Sequence, residues 1–163
     1  MAVDFFLKLD GADYKGESQD HKHKEEIQLE SWSWGASQQG TSSAGGGGGA
    51  GKVSMQDVHF TMMMNKASPM LMLACATGKH IPTGILTCRK AGDKPLEYLK
   101  IKLTDILVSS YQTGGSAHGG DLPVEQIAIN FAKIELEYVP QRKDGTGDPS
   151  VKAGYDLKKS EKV

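Results

Sequence analysis

The sequence predicts a mainly β fold: a two-sheet barrel or sandwich with one short flanking α-helix and a long glycine-rich extended loop. Three observations lead there. Seven segments, near residues 2–9, 25–38, 52–63, 82–90, 96–112, 123–139 and 151–158, are strand-like in pattern and are separated by Gly, Asp and Pro. One short helix is well signalled, at about residues 69–77. Four of the strand segments switch the phase of their apolar alternation once, near the middle. A chain of 163 residues is long enough for one domain with a real core, so residues 1–163 are read as a single unit.

The opening Met1-Ala-Val-Asp4-Phe-Phe-Leu-Lys8 has no basic region ahead of an apolar run, and Asp4 interrupts it. It reads as a strand, not a secretory signal. The longest apolar run, Met70 to Ala76, is far shorter than the roughly 20 residues needed to span a bilayer. The expectation is a protein made in the cytoplasm, without membrane insertion, and exported, if at all, without a cleaved signal. Next comes His21-Lys-His23-Lys ahead of Glu25 and Glu26. Histidines two apart could share a metal, but the neighbouring lysines oppose a cation, so a solvated charged turn is expected.

Trp32 and Trp34 stand two apart in a strand pattern and therefore share a face. The pair is read as anchoring a core or a subunit interface, where large aromatics dominate. The rival reading is a stacking platform for carbohydrate or single-stranded nucleic acid in an independent secreted binding module. If the indoles are buried, Ser33, with Ser31 in phase, lines an exposed or luminal face.

The extended loop, about 39–52, carries Thr41, the run Gly45, Gly46, Gly47, Gly48, Gly49, and then Lys52. Gly46 to Lys52 matches the start of a phosphate-binding loop, but Val53 stands where a Mg²⁺-holding Ser or Thr is required. A phosphate loop also opens a helix. Here Val53-Ser-Met55-Gln-Asp57-Val-His59-Phe60 reads as a strand, so nucleotide hydrolysis is set aside for a flexible loop between strands.

In the helix, Ser68 is read as N-cap, Pro69 as the first helical residue, and Gly78 as the stop. Thr77 is its only polar side chain from Met70 onward. A helix apolar all round must be covered on every side. A small β domain covers one side, so Met70 and Leu73 are candidates for the core or for contact with another copy. The strands agree. Ile27 and Leu29 give way to Trp32 and Trp34, Val53 and Met55 to Val58, Phe60 and Met62. Leu99, Ile101 and Leu103 give way to Ile106 and Val108, and Ile127, Ile129 and Phe131 to Ile134, Leu136 and Tyr138. A bulge restores such residues to one face, whereas an interface uses both faces. The sequence leaves the apportionment open. The chain ends in a charged tail, about 158–163.

No catalytic, cofactor-binding or metal-binding set emerges. Nineteen basic and twenty acidic residues nearly cancel, so nothing points to nucleic acid. His59, His80 and His118 carry no nucleophile signature, and Asp57, Asp105, Glu125, Glu135 and Glu137 form no recognisable acid–base pair. Cys75 and Cys88 are expected as free, mostly buried thiols.

The same residues carry a family likeness. Met1-Ala-Val-Asp4, Lys15-Gly-Glu-Ser18, Glu25-Glu-Ile27, Trp32-Ser-Trp-Gly35, Gly45 to Val53, Gln56-Asp57, Ser68-Pro69, Cys75 through His80, Arg89-Lys-Ala-Gly92, Leu107-Val-Ser-Ser110, Asn130-Phe131 and Tyr138-Val-Pro140-Gln141 run in order along the chain. In that order it resembles the haemolysin-coregulated protein family, the tube subunits of bacterial type VI secretion systems. The resemblance implies a non-enzymatic homohexameric ring with a central hole, rings stacked into a tube, and expulsion by a contractile sheath behind a spike protein. It also implies small effector proteins carried in the lumen, and a fold shared with phage tail tubes, a near alternative. For Thr41, Gly45 to Gly49 and Lys52 it implies an arm reaching neighbouring rings or subunits.

Overall fold

A computed structural model describes residues 2–40 and 50–163. Twelve strands and one α-helix follow in order among them: β1 (Val3–Leu9), β2 (Ile27–Leu29), β3 (Ser31–Ser33), β4 (Ala36–Gly40), β5 (Ala50–Met55), β6 (Val58–Met63), α1 (Ser68–Thr77), β7 (His80–Lys90), β8 (Leu96–Gly114), β9 (Val124–Asn130), β10 (Lys133–Tyr138), β11 (Val151–Asp156) and β12 (Glu161–Lys162). The mainly β expectation holds, and each predicted strand segment overlaps at least one observed strand.

The sheet is branched and does not close into a barrel. One arm runs β12-β11-β10-β8-β7-β1-β2, and a second runs from β8 through β9 and β6 to β3, while β4 and β5 form a separate hairpin. Strand β8 belongs to both arms. Its first part pairs with β7 and β10, and its last part, from Leu107, with β9. Side chains from both arms meet in one core that includes Leu7, Ile27, Phe60, Met62, Ile101, Ile106, Ile129 and Ile134.

Three of the four phase flips are kinks that feed this single core. Glu30 separates β2 from β3 and donates its N–H to the Thr61 carbonyl at 2.8 Å, handing the chain from one arm to the other. In β8 the left-handed backbone of Asp105 (φ 57°) turns the strand over between Leu103 and Ile106, both buried. Opposite it, Phe131-Ala132 interrupts the run from β9 to β10. The fourth flip marks the passage from the β4–β5 hairpin into β6. A second turnover in β8, at Ser109, escaped the sequence reading. There the pairing with β9 shifts by one residue, a bulge that restores Tyr111 to the inward face.

Helix α1 buries Ser68, Leu71 and Ala74 against the sheet. Ser68 is not its N-cap. Ala67 precedes the helix with helical backbone, and the side-chain cap is Asn65, whose Oδ1 accepts the Ala67 N–H at 2.9 Å. Ser68 instead accepts the Asn65 N–H at 3.0 Å through its hydroxyl. Gly78 closes the helix as expected, with φ 70° and its N–H on the Ala74 carbonyl at 2.9 Å.

The histidine run is solvated at His21, Lys22 and Lys24, as its charge suggested, but not at His23. His23 is buried, stacked on Phe6 with ring centroids 4.3 Å apart. Its Nδ1 lies 2.9 Å from Glu26 and its Nε2 2.6 Å from Glu97. Burial works to raise the Glu97 carboxyl, but His23 and Lys100 outweigh it and leave it below its ordinary value. The opposite flank of the loop is held by Arg89, which bonds Asp20 through both terminal nitrogens, at 3.0 and 2.6 Å, and reaches Asp4 at 3.1 Å. Charge within the loop thus does what apolar residues do elsewhere.

Gly16 sets the tightest approach in this loop. A Cβ there would lie 2.6 Å from the Glu26 carbonyl oxygen and 2.7 Å from the Ile27 Cα, both backbone atoms. Gly16→Ala is therefore expected to cost about 1–3 kcal/mol by overpacking. Urea denaturation at fixed protomer concentration checks this, and a midpoint equal to the parent's contradicts it.

Candidate functional site

Alternation along β3, β6, β9 and the last part of β8 builds two different faces. Trp32, Phe60, Ile127 and Tyr111 lie in one cross-strand register and form the inward row. The outward face follows from the neighbouring registers. Ser31, Thr61, Gln126 and Gln112 align as one row, and Ser33, His59, Ala128 and Ser110 as the next. Together they line a shallow recess of about 200 Å³. No Lys, Arg, Asp or Glu lines it, and His59 is its one titratable side chain. Ser31 and Thr61 share a hydroxyl–hydroxyl bond of 2.6 Å across β3 and β6.

A further row begins at the edge of the recess. Asp57, just ahead of β6, accepts the Asn130 side-chain N–H at 2.9 Å on one carboxylate oxygen and the Ser109 hydroxyl at 2.6 Å on the other. Beneath the wall, the Tyr111 hydroxyl donates to Glu125, a fully buried carboxyl on β9. Burial and then that carboxyl push the Tyr111 phenol up to about 12.

Ser31 and Ser33 are exposed and lie together on the polar face, the parity expected once the indoles turn inward. Trp32 and Trp34 are half-buried and packed on the core; Trp32 meets Phe5 edge-on and Trp34 tilts over Phe131, each at 6.4 Å. They do not present a flat open platform. Met70 is half-buried on the core, whereas Leu73 is 46% exposed, beside an unforeseen Met72 at 48%. Lys52 is exposed on β5. Thr41 and Gly45, Gly46, Gly47, Gly48 and Gly49 lie outside the described residues.

The recess residues Thr61, Ser110, Gln112, Gln126 and Ala128 were not singled out, and His59 was noted only as part of a strand. Alternation shows which residues of one strand share a face, but not which strands are neighbours. Elsewhere, Asp105 bonds His80 and Lys158, and first Lys158 and then His80 hold its carboxyl below the ordinary value. This ties the C-terminal tail to β8. Both thiols are free, and burial pushes Cys88 up to about 11. Among the described residues no cluster of three His, Cys, Asp or Glu side chains could hold a metal, and no helix is long and apolar enough to cross a membrane.

Comparison with known proteins places this geometry. A family model described as "Type VI secretion system effector, Hcp" matches residues 6–138. Protein hcp1 of Pseudomonas aeruginosa is 49% identical over 162 residues, covering 98% of each chain. The crystal structure of Hcp1 from Salmonella typhimurium aligns over the whole of both chains at 40% identity and a TM-score of 0.82. A structure described as that of a type six secretion system protein aligns over 99% of this chain and all of its own at 35% identity, with a TM-score of 0.92.

Proposed function

The chain belongs to the Hcp family of type VI secretion proteins, and on that premise we propose that it is a structural tube subunit whose polar face lines the lumen of a hexameric ring. Rings stack into a tube that a contracting sheath expels from the cell behind a spike protein. Small effectors ride against the face that carries Ser31 and Ser33. The family is one of structural, secreted proteins, and the role proposed here is mechanical, not catalytic.

The observation that carries the reading is the uncharged outward face. A wall rich in hydroxyl and amide groups forms hydrogen bonds with many surfaces and imposes no strong charge preference on its cargo. Two features support self-assembly. Met72 and Leu73 leave apolar area open on α1, which suits burial against a second copy. The β4–β5 hairpin stands apart from the main sheet with every β4 side chain exposed, and a two-stranded hairpin is marginal by itself. We read this hairpin, which carries Lys52 on β5, as an arm contacting neighbouring subunits or rings, and Thr41 and Gly45 to Gly49, outside the described residues, as candidates for the same contact. The Trp32/Trp34 binding-module reading gains nothing from indoles packed on the core.

Light scattering on purified protein is expected to give close to six times the 17.5 kDa protomer mass. A clean monomer at tens of micromolar would count against the ring. Ser33→Gln is expected to leave that mass unchanged and to reduce retention of a small co-expressed effector by roughly tenfold, a loss on the scale of one displaced interfacial contact. Loss of the ring in Ser33→Gln would place Ser33 at a subunit contact instead.

A further inference from the structure

We propose that Asp57 is a positioning residue for the luminal wall, acting through the Ser109 bulge of β8; the inference rests on reading this face as the wall. The bulge decides which β8 side chains face the recess. Up to Val108 the even-numbered residues Ile106 and Val108 point into the core, whereas after Ser109 it is Tyr111 that turns inward and Ser110 and Gln112 that line the recess. The pairing records the same step: Val108 stands opposite Ile129, but Ser110 stands opposite Ala128. Continued without the extra residue, Tyr111 would fall opposite Gln126 on the wall, and Ser110 opposite Ile127 in the core.

Among the described residues a strand pairs with this bulge on one side only. Strand β7 accompanies β8 no further than the His80–Leu107 pair, so among the described residues β9 is the sole strand beside Val108 to Gly114. Asp57 supplies the second hold. From the β5–β6 junction its carboxylate reaches across β9, taking the bulged Ser109 hydroxyl on one oxygen and Asn130, the last residue of β9, on the other. The Ser109 hydroxyl also lies 3.1 Å from the Ala128 carbonyl, on the strand between them. One charge-assisted network therefore links β6, β9 and β8 at the edge of the recess. The same two donors hold the Asp57 carboxylate at the rim, and no charged side chain lines the recess itself.

Hydrogen exchange resolved along the intact protein tests this. In Asp57→Ala the amides of Ser109 to Gln112 should exchange about tenfold faster while those of β1 and β7 keep the parent rate, the signature of local rather than global opening. Asp57→Asn should restore near-parent exchange, because its amide oxygen still accepts from Ser109 and the Asn130 amide can turn over to match. If Asp57→Ala does not fold, Ser109→Ala removes the donor alone and is expected to quicken the same amides. Unchanged exchange at Ser109 to Gln112, or equal quickening in β1 and β7, would overturn the positioning role. Both results are independent of ring mass, so a monomeric parent would sink the lumen reading without deciding this one.

Discussion

Arg89→Met should destabilise the chain by about 2–4 kcal/mol, somewhat less than the ~3–5 kcal/mol for removing one partner of a fully buried ion pair, since Asp4 and Asp20 still reach solvent. Arg89 is 8% exposed and lies over the Phe6 ring at 4.9 Å, the ring on which His23 also stacks. Its Nε has no partner among the described residues, so the guanidinium is held through its two terminal nitrogens. Methionine preserves most of the packing volume, leaving two carboxylates without their cation. The loss isolates charge from shape. Denaturant midpoints at fixed protomer concentration measure it, and a change within 0.5 kcal/mol, the scatter of ordinary surface substitutions, would contradict it.

The same network makes the effect depend on pH in one direction. The Arg89 guanidinium holds the Asp20 carboxyl well below the usual carboxylate range. A depressed folded-state value means that the contribution is complete above the ordinary unfolded value and fades as pH falls through the folded one. Parent and Arg89→Met curves should therefore differ most near neutrality and converge in strong acid. A gap that widens below pH 4, the ordinary aspartate range, would show that the partners of Arg89 are misassigned.

Leu71→Ala and Leu73→Ser should separate the two faces of α1. Leu71 is fully buried on the core, and its truncation is expected to cost about 2–5 kcal/mol as transfer and cavity contributions add. Leu73 is 46% exposed, and Leu73→Ser should change protomer stability by less than about 1 kcal/mol. Its effect should appear in assembly, as a light-scattering mass shifted toward smaller species at micromolar concentration. If Leu71→Ala unfolds nothing, the helix does not cap the core. If Leu73→Ser leaves the ring mass untouched, the open face of α1 serves something other than a neighbouring copy.

Much of the fold was legible because its signals are local. Alternation located the strands, Gly78 ended the helix, and the inward parity of Trp32 and Trp34 placed Ser31 and Ser33 on the outward face. What stayed hidden depends on partners distant in sequence. Ser68 looked like a cap from its position before Pro69, yet the Asn65 side chain performs that task, and Ser68 goes into the core. His23 looked solvated among lysines, yet Glu97, from the start of β8, and Phe6, from β1, enclose it. The Ser109 bulge left no clear mark, because a bulge is defined by the strand opposite.

The class of fold and the apolar helix were set by the sequence alone, through residue type and spacing, and the family likeness by the order of its motifs along the chain. Tertiary structure decided which strands are neighbours, and hence that Ser31 and Ser33 share a recess with His59, Gln112 and Gln126. It also decided that three of the four phase flips serve one core and that the fourth marks the exit from the β4–β5 hairpin. The reason is physical: alternation assigns each side chain to a face, but only the register of pairing strands determines which side chains meet across it.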